Sequence, residues 1–298
     1  MLTLRELVKV YPGDLCALSS VDLDVPPGMF GLLGPNGAGK STLLRIAAGL
    51  LEPTSGSAAF GEIDIVAEPE RLRPRLGYLP QAFGFYPNLT GAAMLDHLLR
   101  LKGIDGPRGR ARLVAELLER VHLEAASGRK VKTYSGGMRQ RLGIAQAIAG
   151  APELLIVDEP TAGLDPEERQ RFHRLLAEVA SERTVIFSTH LVEDVAELCP
   201  RFAILSQGRI LAATRPSAAR EALAGTIFEG AVDPQRLLEI AGRVRVVRAV
   251  LREGRTWLRL HVPEGLPPED FFPTPATLED AYLLAVEGER PVSPEAAA

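Results

Sequence analysis

The sequence has little of the residues that define several specialised classes of protein. Among its 298 residues are 2 cysteines, 1 tryptophan and 4 methionines, and aromatic residues make up 5%. The two cysteines, Cys16 and Cys199, stand far apart and show no CxxC spacing. Two such cysteines do not form a metal cluster by themselves, and we expect a reducing compartment.

The sequence also lacks an excess of basic charge and a long apolar run. Lys and Arg number 34 against 38 Asp and Glu, which gives a net charge of −4 and argues against a dedicated nucleic-acid binder. The uncharged stretch 76–95 is broken by Pro80 and Pro87, so it does not fit a spanning helix. Arg5 and Lys9 stand where a signal peptide needs an apolar core. We therefore expect a cytoplasmic protein, peripheral if it works at a membrane.

Short apolar segments alternate with helical periodicity over the first 215 or so residues. The strand patterns lie at 29–33, 76–79, 154–157 and 184–187, the helical ones at 41–51 and 165–181, and an antiparallel β edge at 2–10 and 21–25. Strands that are apolar throughout are typical of a sheet buried on both faces. The alternation therefore predicts an α/β fold with a mostly parallel sheet covered by helices.

Two regions depart from this alternation. Residues 85–150 show no strand pattern, and Thr90 is placed to cap a helix that runs to Lys102, so a helical insertion is predicted there. Residues 215–298 show new strand and helix patterns, which predict a small α+β accessory domain with a disordered tail, PVSPEAAA. The predicted domains are therefore 1–214 and 215–298.

A glycine-rich segment at residues 34–42 fits the phosphate-binding pattern GxxxxGK[ST]. Glycines let backbone N–H groups converge on a phosphate, and the following helix directs its positive N-terminus at the same anion. We expect Lys40 to reach the β- and γ-phosphates and the Ser41 hydroxyl to bind Mg²⁺. The expected cradle consists of Gly34, Pro35, Asn36, Gly37, Ala38, Gly39, Lys40, Ser41 and Thr42.

Two carboxylates follow the apolar strand at 154–157. Ligands bind at the carboxyl ends of the strands in such sheets, so Asp158 and Glu159 are placed beside the phosphate site. We expect Asp158 to hold Mg²⁺ and Glu159 to take a proton from the attacking water.

A third motif indicates the family. Residues 134–141, YSGGMRQR, resemble the signature usually written LSGGQ, and with the two motifs above the chain resembles the nucleotide-binding subunits of ABC transporters. The resemblance implies a P-loop NTPase fold and ATP as the nucleotide. It also implies a homodimer in which Ser135, Gly136 and Gly137 touch the γ-phosphate bound to the second subunit.

Further positions match the family in order along the chain. The resemblance implies that Gln81 binds Mg²⁺ and senses the transporter, and that Asp165 belongs to a loop that communicates across the dimer. It also implies that His190 contacts the γ-phosphate and that Tyr11 stacks on adenine. It covers residues 1–213.

The signature departs from the family pattern at two positions, Tyr134 for Leu and Met138 for Gln. The SGGM sequence, the segment PQAFGFYPNLTG and the residues Thr277-Leu278-Glu279-Asp280 together resemble ATPases of ABC-2-type exporters. That resemblance implies a separate membrane-spanning permease, which the chain powers from the cytoplasmic face by hydrolysing ATP.

Two alternatives stay open at this point. One is a soluble ABC ATPase without a transporter, of the iron–sulfur assembly type, although that reading does not explain the C-terminal extension. The other is a P-loop kinase, which leaves Ser135, Gly136, Gly137 and His190 without a purpose. The sequence does not identify a transported substrate.

Overall fold

The chain, for which we use a computed structural model, is described at residues 1–180 and 183–288. It forms two compact units. Unit 1 comprises Met1–Leu191 and Leu205–Ile210, and unit 2 comprises Val192–Ile204 and Leu211–Ala298. Within the described residues no helix is both long and apolar enough to cross a bilayer. The tail predicted to be disordered, 291–298, lies outside the described residues.

An antiparallel sheet opens unit 1. Its strands, in spatial order, are β2 (Leu15–Val25), β1 (Leu2–Tyr11), β4 (Ser55–Phe60) and β5 (Ile63–Asp64). The predicted antiparallel pairing of β1 with β2 is confirmed. The two strands do not form an edge of the parallel sheet, because β1 pairs on its other side with β4 in a sheet of their own.

A six-stranded sheet forms the second layer. Its spatial order is β10 (Arg209–Thr214), β9 (Arg201–Ser206), β3 (Gly28–Leu33), β8 (Thr184–Thr189), β7 (Leu154–Asp158) and β6 (Leu76–Leu79). The pairs β3–β8, β8–β7 and β7–β6 are parallel, and every residue of β7 and β8 is buried. The predicted mostly parallel sheet is therefore confirmed, and the carboxyl ends of β3, β7 and β8 meet at one edge.

The helices of unit 1 include the predicted insertion. They are α1 (Lys40–Ala47), α2 (Pro69–Leu72), α3 (Gly91–Leu101), α4 (Arg110–Arg120), α5 (Gly136–Ile148) and α6 (Pro166–Ala180). No strand interrupts α3 to α5, and the Thr90 side chain caps α3 by accepting a hydrogen bond from the Ala93 amide at 3.2 Å. Helix α1 ends earlier than predicted, because Gly49 turns the chain at φ +65°.

Among the described residues, unit 2 contains a second antiparallel sheet and four helices. Its elements are α7 (Val192–Leu198), α8 (Pro216–Glu221), β11 (Ile227–Val232), α9 (Pro234–Ala241), β12 (Arg245–Arg252), β13 (Arg255–His261), β14 (Phe272–Pro273) and α10 (Leu278–Glu287). The sheet order is β12, β13, β11, β14. Helix α10 packs against α7 and α8, which joins residues 192–204 to this unit. The domain boundary at residue 214 stays a prediction.

A buried ion pair fixes the start of α10 to β13. The two Asp280 carboxylate oxygens accept bonds from Arg259 at 2.9 and 2.6 Å, and Thr277 and Asp280 form a reciprocal capping box. Burial alone would raise the pKa of Asp280, but the hydrogen bonds from Arg259 and Thr277 outweigh it and hold that pKa below its usual value. The Thr277–Asp280 motif thus caps α10 and links this helix to β13 within unit 2.

Candidate nucleotide-binding site

The glycine-rich loop joins β3 to α1 and requires glycine at specific points. A Cβ added at Gly34 would lie 2.2 Å from the Leu205 carbonyl oxygen, and one at Gly39 would lie 2.4 Å from the Ala17 carbonyl oxygen. Gly39 precedes α1 at φ +103°, in the left-handed region that favours glycine. At Gly34 and Gly39 the surrounding backbone therefore approaches too closely for a side chain.

Lys40, the first residue of α1, is buried, and its ammonium has three oxygen neighbours. Its ammonium lies 2.7 Å from the Gly34 carbonyl oxygen, 3.1 Å from the Pro35 carbonyl oxygen and 3.0 Å from Glu159 Oε1. The two carbonyl oxygens accept hydrogen bonds from the ammonium, and the Glu159 carboxylate forms an ion pair with it. The positive charge stands at the point where the loop would receive a phosphate.

Two acids lie at the carboxyl end of β7 and are held by the neighbouring strand β8. Ser188 Oγ donates to Asp158 Oδ1 at 2.5 Å, and the Glu159 amide donates to the Ser188 carbonyl oxygen at 3.1 Å. His190 Nδ1 lies 2.5 Å from Glu159 Oε2. Asp158 and Glu159 are 2% and 4% exposed, so both carboxylates are fixed by hydrogen bonds rather than by water.

A cavity of about 430 Å³ joins the loop to Glu159. Its lining includes Tyr11, Pro35, Asn36, Gly37, Ala38, Gly39, Lys40, Ser41, Thr42, Gln81 and Glu159. The Tyr11 hydroxyl lies 3.3 Å from Thr42 Oγ1, which places the ring beside the loop. The structure therefore brings most of the predicted site residues around one space, with Gly34, Asp158 and His190 adjoining it through the contacts above.

Four predicted residues, Ser135, Gly136, Gly137 and Asp165, do not line this cavity. Ser135 caps α5 by accepting a hydrogen bond from the Met138 amide at 3.1 Å. A Cβ at Gly137 would lie 2.3 Å from Glu168 Oε2 of α6, so the start of α5 packs closely on that helix. Asp165 caps α6 through the Glu168 amide at 2.9 Å. These residues form a separate face made by the starts of α5 and α6.

Sequence reasoning missed residues on both sides of the cavity. Leu15, Cys16 and Ala17 line it from the start of β2, and Ser188 orients Asp158. For Ser188 the sequence did carry a signal, since it directly follows the apolar run of β8 near the carboxyl end of that strand. For the three β2 residues the sequence carries no such signal, because their approach to the loop depends on how the two sheets pack.

A relative of this chain matches it over nearly its whole length. The Nod factor export ATP-binding protein I of Cupriavidus metallidurans is 34% identical over 296 residues, covering 95% of this chain and 96% of that protein. The chain belongs to the ABC transporter ATP-binding family. The family model for ABC transporters matches residues 18–162 of this chain. The resemblance drawn from the motifs is thus confirmed.

Other relatives match only part of their own length. The daunorubicin/doxorubicin resistance ATP-binding protein DrrA of Streptomyces peucetius is 42% identical, and the match covers 69% of this chain and 62% of that protein. The probable multidrug ABC transporter ATP-binding protein YbhF of Escherichia coli is 34% identical, and the match covers 97% of this chain and 52% of that protein. The chain therefore spans between half and two thirds of these two relatives.

A solved structure gives the fold and a bound nucleotide. The ATP-binding cassette MJ0796, in a dimeric post-hydrolysis state bound to ADP and Pi, superposes with a TM-score of 0.65 at 28% identity. The match covers 72% of this chain and 98% of that one. The P-loop NTPase fold expected from the sequence is therefore confirmed.

Proposed function

We propose that the chain hydrolyses ATP to power a separate membrane-spanning permease, in the direction of export. The observation that carries the proposal is the single cavity that holds the P-loop, the Lys40 ammonium and the Glu159 carboxylate. A cationic cradle and a candidate general base around one space are the parts that phosphoryl transfer to water requires.

In this proposal each residue of the site has a defined task. ATP lies in the cavity with adenine against Tyr11 and its phosphates in the loop from Gly34 to Thr42. Glu159 accepts a proton from water while the water oxygen attacks the γ-phosphorus, and the bond from that phosphorus to the bridging oxygen breaks to release ADP. His190 supports the γ-phosphate. Hydrolysis depends on positioning and on charge stabilisation of the phosphoryl group.

The donor set at the cavity also suits Mg²⁺. The Ser41 hydroxyl, the Gln81 amide oxygen and the Asp158 carboxylate are hard oxygen donors of the kind that Mg²⁺ prefers, and Ser188 already orients Asp158. When bound there, Mg²⁺ neutralises charge on the β- and γ-phosphates. The three side chains therefore serve as its protein ligands in our proposal.

We further propose a homodimer that encloses two ATP molecules. Ser135, Gly136 and Gly137 lie on a face outside their own subunit's cavity, which suits contact with the γ-phosphate bound to the second subunit. Asp165, on the neighbouring helix start, communicates across that interface. Dimeric MJ0796 supports this arrangement.

Export and the permease rest on the names of relatives. The relatives above are named for Nod factor export and for daunorubicin/doxorubicin resistance. We infer from them that this chain works at the cytoplasmic face of the membrane, that its partner is a separate permease, and that it does not bind nucleic acid. None of these names supports the soluble iron–sulfur alternative. Residues 215–298 remain, in our proposal, an accessory domain that ATP binding does not require.

The decisive test is the variant Glu159→Gln. It should keep ATP binding and lose turnover by about 10²–10⁴-fold, since a general base contributes that much. The matched control is Glu119→Gln, at an exposed glutamate on α4, which should hydrolyse ATP at the parental rate. Full phosphate release by Glu159→Gln would remove Glu159 from the role of base.

A further inference from the structure

The contacts of the Lys40 ammonium bear directly on phosphate binding. Two of its three donors bond the Gly34 and Pro35 carbonyl oxygens, and Glu159 Oε1 forms an ion pair with it at 3.0 Å. A phosphate oxygen that approaches the remaining donor must therefore compete with Glu159 for the ammonium. The two carbonyl oxygens belong to the loop backbone, where close packing around Gly34 resists movement.

Glu159 is the acceptor that is able to leave. Its backbone is fixed, because the Glu159 amide donates to the Ser188 carbonyl oxygen at 3.1 Å and to Ser188 Oγ at 3.2 Å. Its side chain ends in two oxygens with different partners, Lys40 at 3.0 Å and His190 at 2.5 Å. Rotation about the side-chain bonds therefore releases Lys40 without a change in the loop.

We infer that a nucleotide phosphate and Glu159 compete for Lys40, and that the exchange frees Glu159 to meet water. The inference rests on the proposed function and adds a second role for the same carboxylate. While Glu159 is paired with Lys40 and His190, both of its carboxylate oxygens are occupied by these partners. Once a phosphate has taken its place on Lys40, Glu159 Oε1 is available to a water molecule.

The exchange replaces one charge pair by another at a buried position. Lys40 and Glu159 are 6% and 4% exposed, so water compensates neither charge well if its partner leaves alone. A phosphate supplies the replacement for Lys40, and His190 keeps its contact with the released Glu159. Part of the binding free energy of the nucleotide is therefore used to break the Lys40–Glu159 ion pair, and nucleotide binding is weaker by that amount.

The first experiment measures the pair without nucleotide. Urea unfolding is followed for the parent chain, Glu159→Gln, Lys40→Met and the double variant. We expect each single variant to lower the unfolding midpoint, and the double variant to lose less than the sum, since it leaves no unpaired charge. Additive losses would overturn the inference, and hydrolysis plays no part in this measurement.

The second experiment measures nucleotide affinity in one subunit. All variants carry the background substitution Ser135→Arg, which blocks the proposed homodimer around ATP, and the buffer holds no Mg²⁺. The dissociation constant then reports ATP binding to one subunit, without dimerisation or hydrolysis. We expect Glu159→Gln to bind ATP about tenfold more tightly than the background, because a neutral amide competes less well for Lys40. A residue with a merely structural role would not tighten binding when it is replaced.

Controls keep the two proposals distinct. Glu119→Gln in the same background should leave the ATP dissociation constant unchanged, and Glu159→Asp, which keeps the charge but shortens its reach, should tighten binding if the Gln variant does not fold. Unchanged or weaker ATP binding in a folded Glu159 variant would overturn the competition. Failure of the parent chain to hydrolyse ATP would count against the proposed function and leave this result standing.

Discussion

The departure of the signature from the family pattern has a structural reason that can be tested. Tyr134 is 3% exposed, and its hydroxyl donates to the Ala126 carbonyl oxygen at 2.8 Å. A Cβ added at Gly91, the first residue of α3, would lie 1.9 Å from that hydroxyl and 2.9 Å from the ring carbon that carries it. The tyrosine in the signature and the glycine of α3 therefore occupy one packed space.

We predict that Gly91→Ala destabilises the fold by about 2 kcal/mol, since forced overpacking costs about 1–3 kcal/mol. Tyr134→Phe should cost about 1 kcal/mol for the lost hydrogen bond. In the Tyr134→Phe background the closest overlap is gone, so Gly91→Ala should cost about half as much, which corresponds to a coupling of about 1 kcal/mol.

Urea unfolding of the four chains measures this coupling, with an unchanged m-value as the sign that the unfolded state is unaltered. Gly128→Ala is the matched control, because an added Cβ there meets nothing within 4 Å and the residue lies in the same helical insertion. A neutral Gly91→Ala, or strictly additive losses, would show that the hydroxyl does not define the space beside α3.

Three other predictions concern the loop, the signature and unit 2. Gly34→Ala should abolish ATP binding in an equilibrium assay, because its Cβ would lie 2.2 Å from the Leu205 carbonyl oxygen. Ser135→Arg should bind ATP normally yet hydrolyse it poorly in a phosphate-release assay, and equal loss of both would refute the two-subunit arrangement. Asp280→Asn should lower the free energy of unfolding by about 2 kcal/mol at neutral pH, since it removes the closer of the two carboxylates that pair with Arg259 and leaves Glu229 at 3.6 Å. Because the folded-state pKa of Asp280 is depressed, the stability that its carboxylate contributes is fully present above the unfolded-state pKa and is lost as pH falls through the folded-state pKa. The unfolding free energies of the parent and the variant should therefore converge in acid. A difference between them that stays constant with pH would contradict this.

The parts of the site that local chemistry determines could be read from the sequence. The P-loop depends on glycines at fixed spacing between a strand and a helix, and the caps Thr90 and Ser135 each act within three residues of themselves. Asp158, the last residue of β7, and Glu159 come directly after four successive apolar residues, which make the burial of that strand visible in the sequence. In each case the sequence signal and the structural cause lie in the same short segment.

The parts that long-range packing determines could not be read in this way. Strand β4, with the sequence SGSAAF, has weak strand propensity, and Gly56 is needed because a Cβ there would lie 2.4 Å from the Glu6 carbonyl oxygen of β1. The Lys40–Glu159 pair joins residues 119 positions apart along the chain (159 − 40 = 119). Neither contact leaves a pattern in the residues on one side alone.

The sheet of unit 2 shows how tertiary contacts settle a question that its strand patterns leave open. A sheet this small needs cover on its apolar face, and either its own helices or a second copy would supply it. On one face, Leu258 and Leu260 pack in a buried cluster that includes Ile240 of α9. This face is therefore covered from within the unit.

The other face of that sheet is covered by α10. Arg259 lies between Leu258 and Leu260 along β13, so its side chain points to the opposite face, where it binds Asp280 of α10. On β12, opposite Arg259 in the pairing, Arg248 forms an ion pair with Glu279 of the same helix. Since α9 and α10 each lie against one face, the sheet does not need a second copy of the chain to bury it, and the homodimer that we propose uses the face of Ser135 and Asp165 instead.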